Sequence, residues 1–153
     1  MSRLAPDPAA VPLAVYVHVP FCAAKCPYCD FNSHVRSHVD ETTYTEAVLA
    51  ELAARAPEAG DRRPVSVFFG GGTPSLLTPA FFDRVLTALD RHLGLSPRAE
   101  ITLEANPGSA EAARFAGYRA AGVNRLSLGV QSLDDRLLGR LGRIHDAAEA
   151  RAA

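Results

Sequence analysis

Cysteine is scarce in this chain of 153 residues, only three in all, and no apolar stretch reaches the roughly 18 residues that a helix needs to cross a membrane. The odd count argues against a disulfide framework. Charge does not accumulate either: 16 Lys and Arg face 17 Asp and Glu, and the formal net charge is -1. Without a basic block, electrostatics gives no reason to expect nucleic acid or an anionic membrane as a partner. Residues 1–12, MSRLAPDPAAVP, lack the apolar core of a signal peptide and are rich in Pro and Ala, so they read as a disordered leader. Clustered thiols without an export signal point to the reducing cytoplasm. With 48% hydrophobic residues, the rest of the chain, 13–153, suffices for one domain with its own core.

What the chain does have is concentrated. Cys22, Cys26 and Cys29 share an eight-residue window with C-x3-C-x2-C spacing. Thiolates are soft ligands suited to iron-sulfur clusters and zinc, and a four-iron cluster ordinarily takes four cysteines. Three would leave one iron open to a small molecule. Three readings therefore stand side by side: a three-cysteine cluster with an exchangeable site, zinc held by the three cysteines and His34, and free thiols without function. Pro20 and Pro27 bracket the loop and predict a sharp exit from the preceding strand. Lys25, between the ligands, either lowers thiolate pKa or is a solvated loop cation.

Short runs rich in β-branched and aromatic residues alternate with amphipathic stretches, the pattern of βα units on a parallel sheet. Strands are predicted at 14–19, 65–69, 100–104 and 125–130. The second is apolar almost throughout, as for a strand covered on both faces. Asp40 is a good N-cap for a helix carrying Tyr44, Val48, Leu52 and Ala56 on one stripe. Thr78 and Pro79 open a second helix, with Phe82, Val85, Leu86, Leu89 and Leu93 buried and Gly94 ending it. Ser109 opens a third, running past Phe115 to Gly122. Ser132, three residues before Asp135, suggests a capping box for a short fourth, and a last helical stretch begins around Asp146. The fold class is α/β: about the first four βα units of a (β/α) barrel, incomplete as it stands, because a fourth strand without a neighbour leaves an unpaired edge.

In such folds ligands sit at the C-terminal ends of the strands. The first strand ends in the cysteine loop, the second in Gly70-Gly71-Gly72-Thr73-Pro74-Ser75, the third in Glu104-Ala-Asn106-Pro107 and the fourth in Gly129-Val-Gln131-Ser132. The glycines allow backbone N–H groups to approach a ligand, Thr73 or Ser75 adds a hydroxyl, Glu104 a carboxylate and Gln131 an amide. Read singly, the glycines are a tight turn, Glu104 a surface charge and Gln131 unremarkable. Their shared address calls for a ligand with an amino-bearing part and polar hydroxyls, which a zinc knuckle would not require.

Taken in order, Tyr16-Val-His-Val-Pro-Phe-Cys22-x3-Cys26-Pro-Tyr28-Cys29-Asp30-Phe31-Asn32-Ser33, Phe69-Gly-Gly-Gly-Thr-Pro-Ser75, Glu104-Ala-Asn-Pro107 and Gly129-Val-Gln-Ser132 closely resemble the radical S-adenosylmethionine enzymes. Within them the chain looks like the branch holding oxygen-independent coproporphyrinogen III oxidase and the haem chaperone HemW, and the resemblance covers nearly everything after the leader. It implies the N-terminal part of a radical-SAM barrel. It also implies that Cys22, Cys26 and Cys29 hold three irons of a 4Fe-4S cluster whose fourth iron chelates the amino and carboxylate groups of S-adenosyl-L-methionine. One electron would then cleave the sulfonium bond, giving methionine and a 5'-deoxyadenosyl radical. By the same resemblance Tyr16 and Tyr28 flank the cofactor, Gly71, Gly72 and Thr73 hold its methionine end, and Glu104 contacts it. Gln131 and Arg143 match positions that serve a second cofactor molecule in the oxidase; read alone, Arg143 is a solvated helix-end cation.

The oxidase pattern carries another cysteine two residues after the last ligand. Phe31 stands there, and the run Cys29-Asp30-Phe31-Asn32-Ser33 looks like the chaperone branch. The resemblance then implies haem as a ligand, a haem-receiving protein of the respiratory chain, an electron donor, and a further C-terminal region. The oxidase alternative would take a porphyrinogen instead. His18, His34, His38, His92 and His145 are the available imidazoles, His18 directed into the barrel or core and His92 at a helix end; none is assigned to haem iron.

Overall fold

Alternate residues of β1 (Leu13–Val19) meet opposite surroundings: Val17 and Val19 are buried, whereas Tyr16 is exposed and His18, between the two valines, is half-buried. The same division runs through the whole sheet in the computed structural model, which describes residues 10–108 and 112–153. Nearly all of the predicted leader, and Ser109 as a helix start, lie outside the described residues.

β2 (Phe21–Cys22) and β3 (His34–Val35) form a short parallel pair that closes the cysteine loop at its base. Then come α1 (Glu41–Arg55), a 3-10 turn at Ala56–Ala59, β4 (Pro64–Gly71), α2 (Pro79–Leu93), β5 (Glu100–Ala105), α3 (Phe115–Ala120), β6 (Arg125–Leu128), α4 (Asp135–Arg140) and α5 (Ala147–Ala152). The main sheet is four-stranded, in the order β1-β4-β5-β6, and all its neighbours are parallel. Consecutive strands joined through helices and lying side by side are the opening units of a (β/α) barrel. Among the described residues β1 and β6 are its two open edges.

One face of the sheet is apolar. Val17, Val19, Val67, Phe69, Ile101 and Leu103 pack with Phe81, Phe82, Val85 and Leu89 of α2, Tyr118 of α3, and the partly buried Tyr44, Val48 and Leu52 of α1. Full burial of a Phe or Leu side chain contributes about 1.5–3 kcal/mol, so this face accounts for most of the stabilisation that packing offers here. Phe82 stands edge-on to Phe69, Phe81 and Tyr118, with ring centroids 4.9, 5.2 and 5.2 Å apart. The buried Tyr118 hydroxyl donates to the carbonyls of Ser75 and Leu77, at 2.8 and 3.1 Å, and so fixes the chain beyond the glycine turn.

The other face is open. Val65 is 45% exposed and Phe68 half-buried, so β4 is not covered on both faces as its composition suggests. Its apolar run serves a covered face and an open inner one. On that inner face Phe68 stacks against Tyr16 at 6.2 Å, and Arg125 reaches Thr102 and Glu100.

Local details refine the helix starts. Asp40 caps α1 by accepting from the Thr43 N–H at 3.0 Å, as predicted. The Thr78 side chain does not cap α2; its N–H and hydroxyl both donate to Glu41 of α1, tying the two helices together. Asp134, rather than Ser132, caps α4 by accepting from Arg136 and Leu137 N–H, while the Ser132 hydroxyl accepts from Asp134 N–H. A capping box does occur one helix later, between Asp146 and Glu149.

Candidate cofactor site

The strand ends on the open side surround a cavity of about 310 Å³. Cys22, Cys26 and Cys29 form one wall; Gly71, Gly72, Thr73, Glu104, Gln131 and Arg143 line the rest, and Tyr28 stands at its edge. Residues from all four strand ends, distant in the chain, therefore meet there.

The cysteine loop leaves the sheet at Pro20 and is closed by backbone bonds, His34 N–H to the Pro20 carbonyl at 2.7 Å and Arg36 N–H to that of Cys22 at 3.1 Å. Lys25 directs its ammonium at the carbonyls of Phe31 and Ser33, 3.3 and 3.4 Å away. It staples the loop, a role different from both sequence readings. All three thiols are free, Cys22 buried and the other two partly exposed. Among the described residues the thiols are not drawn into a closed metal-holding set. They do face one shared space, and soft donors without a fourth cysteine suit a cluster that keeps one iron open. His34 sits in β3, exposed, and does not line the cavity, so a zinc site here lacks the fourth ligand proposed for it.

Of the two readings of the glycines, a cradle of free N–H groups and a tight turn, the hydrogen bonds favour the turn. Gly72 and Thr73 donate their N–H groups to the carbonyls of Val19 and Phe21, both at 2.7 Å, and Gly71 N–H donates to Glu104 Oε2 at 3.1 Å. These donors are spent inside the protein. A Cβ on Gly72 would come within 2.5 Å of the Phe21 carbonyl oxygen and 3.0 Å of Cys22 Sγ. Lack of a side chain is what lets the cysteine loop lie against the turn. Thr73 Oγ1 is 3.7 Å from Cys22 Sγ, whereas the Ser75 hydroxyl is buried and does not line the cavity.

Glu104, half-buried, lies at the end of β5 with one oxygen on Gly71. Tyr16 does not line this cavity. It stands on the same sheet face, its hydroxyl 3.0 Å from His18 Nδ1, and burial together with the negative charge of Glu104 lifts its pKa above the ordinary value. His18 is directed to the inner side, where Nε2 meets the Asn32 carbonyl at 2.8 Å and so ties β1 to the cysteine loop. The Tyr28 phenol is also raised, first by burial and then by its bond to Cys26, with Arg143 pulling the other way. Gln131 adopts φ 65°, the positive region that side chains other than Gly rarely occupy, and is exposed at the cavity rim.

Arg143 is no solvated helix-end cation. Its guanidinium bonds Asn106 Oδ1 at 2.5 Å, the Gly129 carbonyl at 2.8 Å and Cys26 Sγ at 3.4 Å. Asn106 stands in the strand-end run Glu104-Ala-Asn106-Pro107 but carries no role of its own in the sequence reading, although its place two residues after Glu104 is a signal for one. His145 is buried with Nε2 3.1 Å from the Val130 carbonyl; His34, His38 and His92 are exposed.

The sequence model of the radical SAM superfamily matches residues 16–153. The chain is 46% identical over 151 residues to the heme chaperone HemW of Haemophilus influenzae, covering 95% of this chain and 39% of that relative. Escherichia coli heme chaperone HemW is 48% identical over 143 residues, covering 93% of this chain and 38% of the relative. The bovine mitochondrial radical S-adenosyl methionine domain-containing protein 1 is 47% identical over 145 residues, which is 95% of this chain and 33% of the relative. Among solved structures, coproporphyrinogen III oxidase (HemN) from Escherichia coli, a radical SAM enzyme, superposes with a TM-score of 0.80 at 31% identity, over 95% of this chain and 36% of that one. The chain thus spans well under half the length of the relatives it matches. No helix among the described residues is long and apolar enough to cross a membrane.

Proposed function

The chain belongs to the radical SAM superfamily, in the branch that holds HemW and HemN, and we propose that residues 13–153 are the cofactor-binding N-terminal part of a haem chaperone. Family membership implies a 4Fe-4S cluster and S-adenosyl-L-methionine. The reading is carried by the convergence of three free thiols, the glycine turn, Glu104 and Arg143 on one cavity. Haem, a haem-receiving protein, an electron donor and the remaining C-terminal region complete the proposal. A reducing compartment such as the cytoplasm suits the three thiols.

In this reading Cys22, Cys26 and Cys29 hold the cluster. Bound there, cluster and cofactor supply one-electron cleavage of a sulfonium carbon–sulfur bond. The chain's own residues bind and orient. Glu104 presents a carboxylate to an ammonium, and its second bond, to Gly71, fixes its direction. Thr73 offers a hydroxyl beside Cys22 and Tyr28 an aromatic ring at the edge, while Tyr16 stands on the same sheet face outside the cavity lining. Gln131 offers an amide at the rim. Phe31, 66% exposed on the cysteine loop, puts an apolar ring where the oxidase pattern has a further cysteine.

A second reading, oxidative decarboxylation of a porphyrinogen, is favoured by the structural match to coproporphyrinogen III oxidase. Electron paramagnetic resonance of the anaerobically reconstituted, reduced protein tests the shared part. A four-iron signal that changes on adding S-adenosyl-L-methionine is expected, and stoichiometric zinc without iron or sulfide would overturn it. Haem titration followed by Soret absorbance, beside product analysis with coproporphyrinogen, separates the two functions. Haem binding without porphyrinogen conversion supports the chaperone, whereas conversion refutes the pure chaperone reading.

A further inference from the structure

Arg143 is separated from Cys26 by 117 positions, yet its Nη1 is 3.4 Å from that sulfur. We infer that Arg143 is a positioning residue for the cluster: by donating an N–H to Cys26 Sγ it raises the cluster's reduction potential. The inference rests on the proposed cluster site and assigns to this side chain a role separate from holding S-adenosyl-L-methionine.

Several features hold the guanidinium in place. Nη2 is shared between Asn106 Oδ1 and the Gly129 carbonyl, so the ends of β5 and β6 both anchor it. Gly142, at φ 68°, turns the preceding backbone so tightly against the cysteine loop that a Cβ there would lie 3.0 Å from Pro27 Cδ. Arg143 is thereby laid over the Cys26-Pro27 step. Its Nε–H is buried without an acceptor, which leaves one donor for an added anionic atom. Arginine suits such a place because it keeps its charge and offers several donors in a rigid fork.

The sign follows from charge. One-electron reduction adds a negative charge to the cluster and its sulfurs; the electron comes from dithionite in the test below, and no bond forms or breaks. A cation and an N–H directed at a ligand sulfur stabilise the reduced state more than the oxidised one, and hydrogen bonds to the sulfurs are among the factors that set cluster potentials. Removal of the donor makes the cluster harder to reduce.

The test is a dithionite titration of the reconstituted protein, without S-adenosyl-L-methionine, monitored by electron paramagnetic resonance. Arg143→Gln is expected to shift the reduction equilibrium about tenfold toward the oxidised form, equivalent to about 59 mV for one electron. Arg143→Lys should restore part of the shift, since it keeps the charge but not the fork. Asn106→Ala, which loosens one anchor and keeps the cation, should shift it less and in the same direction. In the unaltered protein labelled with 15N-arginine, pulsed measurement should show nitrogen coupling to the cluster that changes with the isotope; this arm needs no variant to fold. Equal potentials in fully loaded variants, or no arginine coupling, would overturn the inference and leave the cluster standing. Failure of the unaltered protein to assemble iron and sulfide would overturn the cofactor reading and this inference with it.

Discussion

The two faces of the four-stranded sheet are built from the same strands, with every second residue going to each, and they differ in almost every property. The helix-covered face has Phe69, Leu103 and Val19 fully buried among the aromatic rings of α2 and α3. The open face carries an exposed Tyr16, a glycine turn and Glu104, and at its rim the three thiols. Strand alternation makes this separation possible, because a change on one side leaves the neighbouring residue's packing on the other nearly untouched. Stability and cofactor binding should therefore be separable by mutation.

The sharpest separation is expected at the cysteines. Cys26→Ala removes a thiolate from the cavity wall and should abolish stoichiometric iron, read as iron and sulfide per chain after reconstitution. The apoprotein's unfolding free energy, read by urea titration, should change by no more than about 0.5 kcal/mol, as for a site outside the packed core. A large stability loss in the apoprotein would show that the loop is part of the core after all. The converse is Phe69→Ala on the covered face, where deletion of a fully buried ring should cost about 3–5 kcal/mol. Tyr16→Ala, one face over, should cost under about 1 kcal/mol by the same urea titration. Equal losses would break the distinction between the faces.

Gly72 lies where the two regions touch. Gly72→Ala places a methyl 2.5 Å from the Phe21 carbonyl oxygen, and backbone cannot move aside cheaply. Overpacking of this kind costs about 1–3 kcal/mol. The expected outcome is a moderate stability loss together with reduced iron loading, because the displaced strand β2 carries Cys22. Unchanged loading would mean that the cysteine loop tolerates a different seat.

The covered face was more legible in the sequence than the open one, for a physical reason. The stripe Phe82, Val85, Leu86, Leu89 of α2 is periodic and ends at Gly94, where φ is 65°, and periodicity is a local signal. The cysteines were equally plain, as a spacing with few other uses. The partners of Arg143 were not legible, since Cys26, Asn106 and Gly129 come from three separate strand ends and meet only after the sheet has formed. The same holds for Thr78. Its cap position is a local pattern, but the partner that won is Glu41, a helix away. For the glycine turn the sequence allowed two purposes, a cradle of free N–H groups and a tight turn, and the N–H groups, bound to β1, β2 and Glu104, favour the turn. The two-residue ladder of β2 and β3 gave no signal, because two residues carry no period.

Tyr44 provides the smallest test and joins both regions. Its ring belongs to the covered side, stacked on Phe81 at 5.6 Å and edge-on to Phe21 at 5.0 Å. Its hydroxyl donates to the carbonyl of His18 on β1, at 2.5 Å. Burial first, and then the proximity of Tyr16, push its pKa from 10.0 up to about 12. A phenol whose folded value exceeds its unfolded value binds its proton more tightly in the folded chain, so its contribution to stability is whole below pH 10.0 and is lost as pH rises through about 12. Urea midpoints should therefore fall across that window. In Tyr44→Phe, which keeps the ring packing and removes the proton, the fall should be shallower by the share this one phenol supplies, while iron loading at neutral pH stays as it was. An identical alkaline slope in the variant would place the pH sensitivity elsewhere, and altered loading would show that the His18 carbonyl contact reaches through the strand to the cysteine loop.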